Sequence, residues 1–150
     1  MTGEWWREKI PEGEEVLWYQ RPEQGFFPLR YGWFYKIAAG LIALIWLASP
    51  WMIETAGDFW KIFVCSVGFV FFVWADRFNR AQRVYVVTSQ KAWEINKDLK
   101  SKYLKIDRFL NFSCHRRRVT FDRHPFFSFD HLSDPDAALM ALKQARETAQ

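Results

Sequence analysis

Two apolar runs, residues 33–53 and 59–75, decide what this chain can fold into. No charged residue occurs from Ile37 to Ile53. At about 1.5 Å of rise per residue, such a helix covers roughly 30 Å, the hydrocarbon thickness of a bilayer. The second run holds a single charge, Lys61, two residues from its start, where its stem can reach the interface. Pro50 lies near the far end of the first run, where water can compensate a missing backbone donor. A helix packed in a soluble core shows a polar stripe at helical period. Neither run has one, so the reading is a hairpin of two membrane-spanning helices joined by a loop over 54–58.

The flanks set the orientation. The connector Glu54-Thr55-Ala56-Gly57-Asp58 carries two acids and no base, whereas Arg30, Lys36, Arg77, Arg80 and Arg83 flank the other ends. Basic residues near helix ends favour the cytoplasmic side, so both chain ends are expected in the cytoplasm and the protein in the cell membrane. Trp33, Tyr35, Trp51, Trp60 and Trp74 fall where an aromatic belt would lie. Ala39, Gly40 and Ala43 on one helix and Gly68 on the other are candidate packing positions, since small residues let backbones approach.

The remaining chain has room for one small domain. No cleavable signal peptide is expected, because the charged, Trp-rich start does not lead directly into an apolar run. Residues 1–75 carry a net charge of −2 and residues 76–150 one of +6. Cys65 lies in the second run and Cys114 beyond it, and no disulfide is expected between them.

Residues 1–32 form a polar N-terminal segment with scattered aromatics. Glu4-Trp5-Trp6-Arg7-Glu8-Lys9 fits a short interfacial piece or a flexible tail equally well. Residues 16–19 have the β-branched and aromatic content of a strand. After a basic helical exit at 76–83, the period changes to two. Strands are expected at 83–88, 91–96, 102–107, 110–114, 117–122 and 126–129, separated by turns such as Ser89 and Gln90. That pattern gives a small antiparallel sheet, sandwich or partly open barrel. Asp134 as cap, Pro135 at the first helical position and Asp136 beside the dipole start a C-terminal helix over 135–147. Its apolar face, Ala138, Leu139, Leu142 and Ala145, should cap the sheet.

This layout resembles the bacterial pleckstrin-homology-like (PH-like) membrane proteins. The resemblance rests on Gly13-Glu14-Glu15-Val16-Leu17-Trp18-Tyr19-Gln20-Arg21-Pro22 ahead of the hairpin. It rests also on Tyr85-Val86-Val87-Thr88-Ser89-Gln90-Lys91 in the first strands, and on Phe129-Asp130-His131-Leu132-Ser133-Asp134-Pro135 before the last helix. It implies a PH-like sandwich or partly open barrel beside a membrane hairpin. Residues 84–130 are short for seven strands, and 16–19 would supply the missing one, with the hairpin inserted between the first two strands.

No phosphate-binding glycine loop, CxxC pair or HExxH motif occurs. Cys114, His115, His124 and His131 follow no zinc spacing. No metal, no cofactor and no catalysis are expected. Arg116-Arg117-Arg118 and Arg123 are the most distinctive local chemistry. With Arg77, Arg80 and Arg83 they are candidate contacts to phosphate or lipid headgroups, each worth about 1 kcal/mol near an anionic leaflet. The expected role is a membrane protein presenting a PH-like domain to a protein partner or anionic lipid. The alternative is an accessory subunit assembled through the hairpin. Membrane lipids, a protein partner and a second copy of the chain are the partners this allows. Nucleic acid is not favoured, because no RNP-like or OB-like signature accompanies the basic strands.

Overall fold

The apolar runs interrupt a β fold rather than precede it. In the computed structural model, which describes residues 4–149, strand β1 (Val16–Gln20) is followed by helices α1 (Gly32–Met52) and α2 (Ala56–Ala81). Only then come β2 (Arg83–Thr88), β3 (Lys91–Asn96), β4 (Lys102–Lys105), β5 (Phe112–His115), β6 (Arg118–Phe121), β7 (Ser128–Phe129) and α3 (Pro135–Thr148). β1 pairs antiparallel with β2, so the helices are an insertion between the first two strands of one sheet. The strands form two antiparallel sheets, of order β1-β2-β3-β4 and β5-β6-β7. The chain divides into two compact units: Met1–Gln24 with Arg80–Gln150, and Gly25–Asn79.

In the β unit, the two sheets and α3 enclose one core. Tyr85, Val87 and Ala92 from the first sheet meet Val119, Phe121 and Phe129 from the second and Ala138, Leu142 and Ala145 from α3. Asp134 accepts the Ala137 N–H at 3.1 Å and caps α3. β2 and β3 are buried on both faces, so they lack the alternation of a half-exposed strand. The reason is the segment that sequence patterning left between interfacial piece and tail. A 3-10 helix at Trp5–Lys9 lays Trp6, 1% exposed, over the outer face among Val84, Val86, Trp93 and Ile95. Trp6 therefore spends its indole on packing.

Several strands are shorter than expected. The Asp107 side chain accepts the Phe109 N–H at 2.9 Å, a local bond of the kind that competes with strand pairing, and β4 ends at Lys105. Phe126 and Phe127 lie in the β6–β7 connection rather than in β7.

In the helical unit, α2 begins earlier than the expected loop at 54–58 allows. Thr55 and Asp58 form a reciprocal cap: Thr55 Oγ1 accepts the Asp58 N–H at 3.3 Å, and Asp58 Oδ2 accepts the Thr55 N–H at 3.2 Å. Both helices are long and apolar enough to cross a membrane. They meet through aromatic side chains. Tyr35 lies edge-on to Phe69 and Phe72, and Trp46 to Phe59. The Trp46 indole N–H donates to Ser66 Oγ at 2.9 Å. This corrects the expectation for the small residues. A side chain added at Gly40 or Gly68 meets nothing within 4 Å, and Ala43 is exposed. Ala39 is half-buried. Bulky rings at the contact hold the helices apart, so these positions are not a close backbone seam within the hairpin.

Candidate functional site

The arginine run does not act as one cluster, because the backbone sends its members apart. His115 pairs with Arg118 across a two-residue turn, with Arg116 at φ 46° and Arg117 at φ 62°. Two positive φ values fit the twist of a hairpin, but asparagine and glycine fill such turns at lower cost. Arg117 is held by partners distant in sequence. Its Nη1 lies 3.4 Å from Glu23 Oε1 and 3.4 Å from the Ser133 carbonyl oxygen, to both of which it donates. Arg118 is paired with Asp130, Nε to Oδ1 at 2.8 Å, and its Nη2 donates to Ser128 Oγ at 3.1 Å.

The basic exit from α2 is similarly committed. Arg80 is buried and donates to the Glu23 carbonyl oxygen. Arg83 Nε lies 3.4 Å from Glu94 Oε1. Beside it, burial pushes the Tyr85 hydroxyl up to about 12, against the opposing pull of the Arg83 guanidinium. The phenol therefore stays neutral at any physiological pH. Arg77, in the helical unit, stacks over the Phe26 ring at 4.3 Å. Of the seven candidate arginines, Arg116 and Arg123 are exposed and take part in no described hydrogen bond or ion pair.

Arg116 gives a direct test of the turn. Its side chain makes no described contact to lose, so Arg116→Asn or Arg116→Gly should stabilise the β unit by about 1 kcal/mol. Chemical denaturation of the detergent-solubilised chain reads this as a higher midpoint; an unchanged or lower midpoint would show that the arginine turn carries no conformational cost.

The basic surface that remains lies elsewhere. A cleft of about 610 Å³ is lined by Lys100, Ser101, Lys102, Tyr103 and by residues 123–127, which include Arg123, His124 and Phe126. One wall is the β3–β4 turn and the start of β4. The Asn96 N–H donates to Ser101 Oγ at 3.3 Å and fixes this turn, while Asp98 of the same turn accepts from Gln82 Nε2 at 2.7 Å. The other wall is the β6–β7 connection. Arg123 at φ 68° and the bonds His124 N–H to the Phe121 carbonyl (3.2 Å) and Phe127 N–H to the His124 carbonyl (3.1 Å) wind it tightly. Phe127 turns into the core and Phe126 out, 91% exposed. Among the described residues, no carboxylate lines the cleft.

Sequence patterning singles out Arg123 here, weighs His124 only as a metal ligand, and passes over Lys100 and Lys102. The available signal is the density of lysine at Lys97, Lys100, Lys102 and Lys105, around the turn between the strands expected at 91–96 and 102–107.

A second polar constellation is structural. The Glu14 side chain, 4% exposed, lies 2.7 Å from Lys91 Nζ and accepts from Thr88 Oγ1 at 2.8 Å and Trp93 Nε1 at 3.1 Å. Burial alone would raise this carboxyl. The bonds from Lys91, Trp93 and Thr88 outweigh burial and hold it below its ordinary value. Glu14, Thr88 and Lys91 come from two of the three stretches that carry the PH-like resemblance, and they meet in one network.

Among the described residues, no three His, Cys, Asp or Glu side chains gather as a metal site, and both cysteines are free. Comparison with protein-family models, curated proteins and solved structures finds no match to this chain.

Proposed function

We propose that this is a non-enzymatic integral membrane protein. Its helices α1 and α2 cross the bilayer, and its β unit, a PH-like sandwich, binds an anionic group of a protein partner or of lipid headgroups in the basic cleft. The observation that carries the reading is the outward surface of the helices. Leu44, Leu47, Val64, Val70 and Phe71 are all more than half exposed, on helices with no polar stripe. A soluble monomer rarely exposes a contiguous apolar patch beyond a few hundred Å². Lipid is the solvent in which such a surface is stable. The PH-like reading is supported by a four-stranded and a three-stranded antiparallel sheet with a C-terminal helix packed against β1, β2 and β6.

The flanking charges favour both termini in the cytoplasm and the 53–55 connection outside, and the resemblance to bacterial PH-like proteins implies a cell inner membrane. Alkaline carbonate extraction should leave the chain in the membrane pellet. A membrane-impermeant thiol reagent should label Glu54→Cys, in a chain lacking Cys65 and Cys114, from outside intact cells. Release by carbonate overturns the membrane reading; labelling only after lysis overturns the orientation.

A second reading is an accessory subunit assembled through the hairpin. The open surface at Gly40 and Gly68 favours it, since a neighbouring helix could approach there.

A further inference from the structure

The end of the β unit that carries the cleft also carries the chain's passage into the helices. The pairs Gln20↔Tyr85, Arg83↔Asn96 and Glu94↔Lys102 place the end of β1, the start of β2, the end of β3 and the start of β4 at one end of the sheet. One residue, Gln82, separates α2 from β2. The β2–β3 turn at Ser89 and Gln90 lies at the other end, about 20 Å away over six residues of strand.

At the first end, two apolar side chains project from tight turns into solvent. Leu99 caps the β3–β4 turn and is 66% exposed; Phe126 projects from the β6–β7 connection. Neither sits in the core. Lys97, Lys100 and Lys102 flank Leu99 along the chain and Arg123 lies three residues before Phe126; none of these makes a described ion pair, and with Asp98 and Asp122 the two turns remain net basic. Another exposed apolar side chain, Phe109, follows β4 at its far end, and the Arg108 guanidinium covers its ring at 4.7 Å. Among the described residues, no cation covers Phe126 in this way, and Leu99 stands exposed. Apolar tips on net basic turns match the two layers of an anionic bilayer surface, headgroup phosphates outside and acyl chains beneath.

We infer that the β3–β4 and β6–β7 tips seat on the bilayer, with Leu99 and Phe126 entering the headgroup–acyl boundary and the surrounding lysines and Arg123 meeting anionic headgroups. The inference rests on the membrane reading above and names the surface that reading leaves open. Anchored helices make this contact intramolecular, so a weak interaction is sufficient to hold it. Its effect is to fix the orientation of the β unit on the membrane. The cleft between the two tips then opens at headgroup level, where the ligand groups it can reach are those of the membrane surface.

The test uses the full chain with Cys65→Ser and Cys114→Ala, reconstituted in vesicles of neutral phosphatidylcholine or of phosphatidylcholine with phosphatidylglycerol. An environment-sensitive dye is placed in turn on Leu99→Cys, Phe126→Cys, Gln90→Cys and Leu44→Cys, and lipids brominated along the acyl chain serve as quenchers. The expected result is quenching and a blue shift at 99 and 126 in anionic vesicles, quenching at 44 in both, and none at 90. High salt should weaken the signal at 99 and 126. Lys100→Gln with Lys102→Gln should lower the ratio of seated to free tips by about 30-fold.

Quenching at 44 with none at 99 and 126 overturns the seating and leaves the membrane reading standing. Absence of quenching at 44 overturns both. Equal quenching at 99 and 126 in neutral and anionic vesicles overturns the role of the basic residues. Quenching at 90 equal to that at 99 overturns the orientation.

Discussion

Phe129→Ala should remove most of the stability of the β unit while leaving the helical unit in place. Phe129 is fully buried where the two sheets meet. Its ring lies 4.8 Å from that of Tyr85, 5.4 Å from Phe121, 5.8 Å from Phe127 and 6.1 Å from Trp18. Truncating such a ring costs about 3–5 kcal/mol, the lost transfer energy plus the cavity that remains. A small domain holds only about 5–15 kcal/mol in total. The chain separates into two units, so the damage should stay in one. Limited proteolysis of membranes should then digest the β unit of the variant under conditions where the native chain survives. Residues 25–79 should persist in both, as a fragment of the variant and within the intact native chain. Equal resistance of variant and native chain would mean that the inter-sheet core is not what holds the unit together.

Glu14→Gln should cost about 2–3 kcal/mol at neutral pH and progressively less in acid. The carboxylate takes three side-chain donors, one of them the Lys91 ammonium, and hydrogen bonds to a charged group are worth about 1.5–3 kcal/mol each before losses elsewhere. Lys91 is partly exposed, which lowers its share. The native carboxyl is held below its unfolded value, about 4.3 for glutamate. Its contribution is therefore complete above that value and fades as pH falls through the lower native one. Denaturation midpoints of native and variant chains should converge on acidification. Curves that run parallel down to about pH 3 would assign the loss to shape rather than to charge.

How far the sequence discloses this arrangement depends on the range over which each signal acts. Local signals read well. The Asp134-Pro135 start of α3, the β2–β3 hairpin and both long helices follow from neighbouring residues. Residues 16–19, read as a strand, lie within β1 and pair with β2. What the sequence hides is which distant group a side chain meets. Arg117 and Arg118 look like two thirds of a basic cluster until Glu23 and Asp130 arrive from far along the chain. Trp6 looks interfacial because nothing near it shows the sheet face it covers. Gly40 and Gly68 look like a packing seam because small residues identify themselves, whereas rings that hold two helices apart belong to both partners. The cleft is the least legible feature. Its basic wall is a turn and its aromatic wall another turn, and only the fold sets them face to face.

The placement of the helices between β1 and β2 also imposes an order on synthesis. The ribosome makes β1 early but supplies its partner strand only after both long helices, about 3–12 s later at roughly 5–20 residues per second. Until then β1 is an unpaired edge, and the Trp6 segment has no sheet to cover. Gln24 and Arg80 come together as the insertion closes, Gln24 Nε2 donating to the Arg80 carbonyl oxygen at 3.4 Å. A nascent chain that stalls within the second helix therefore displays β1 and the Trp6 indole without the sheet they complete. Completion of the first sheet is, in effect, the molecule's own record that both helices have been made.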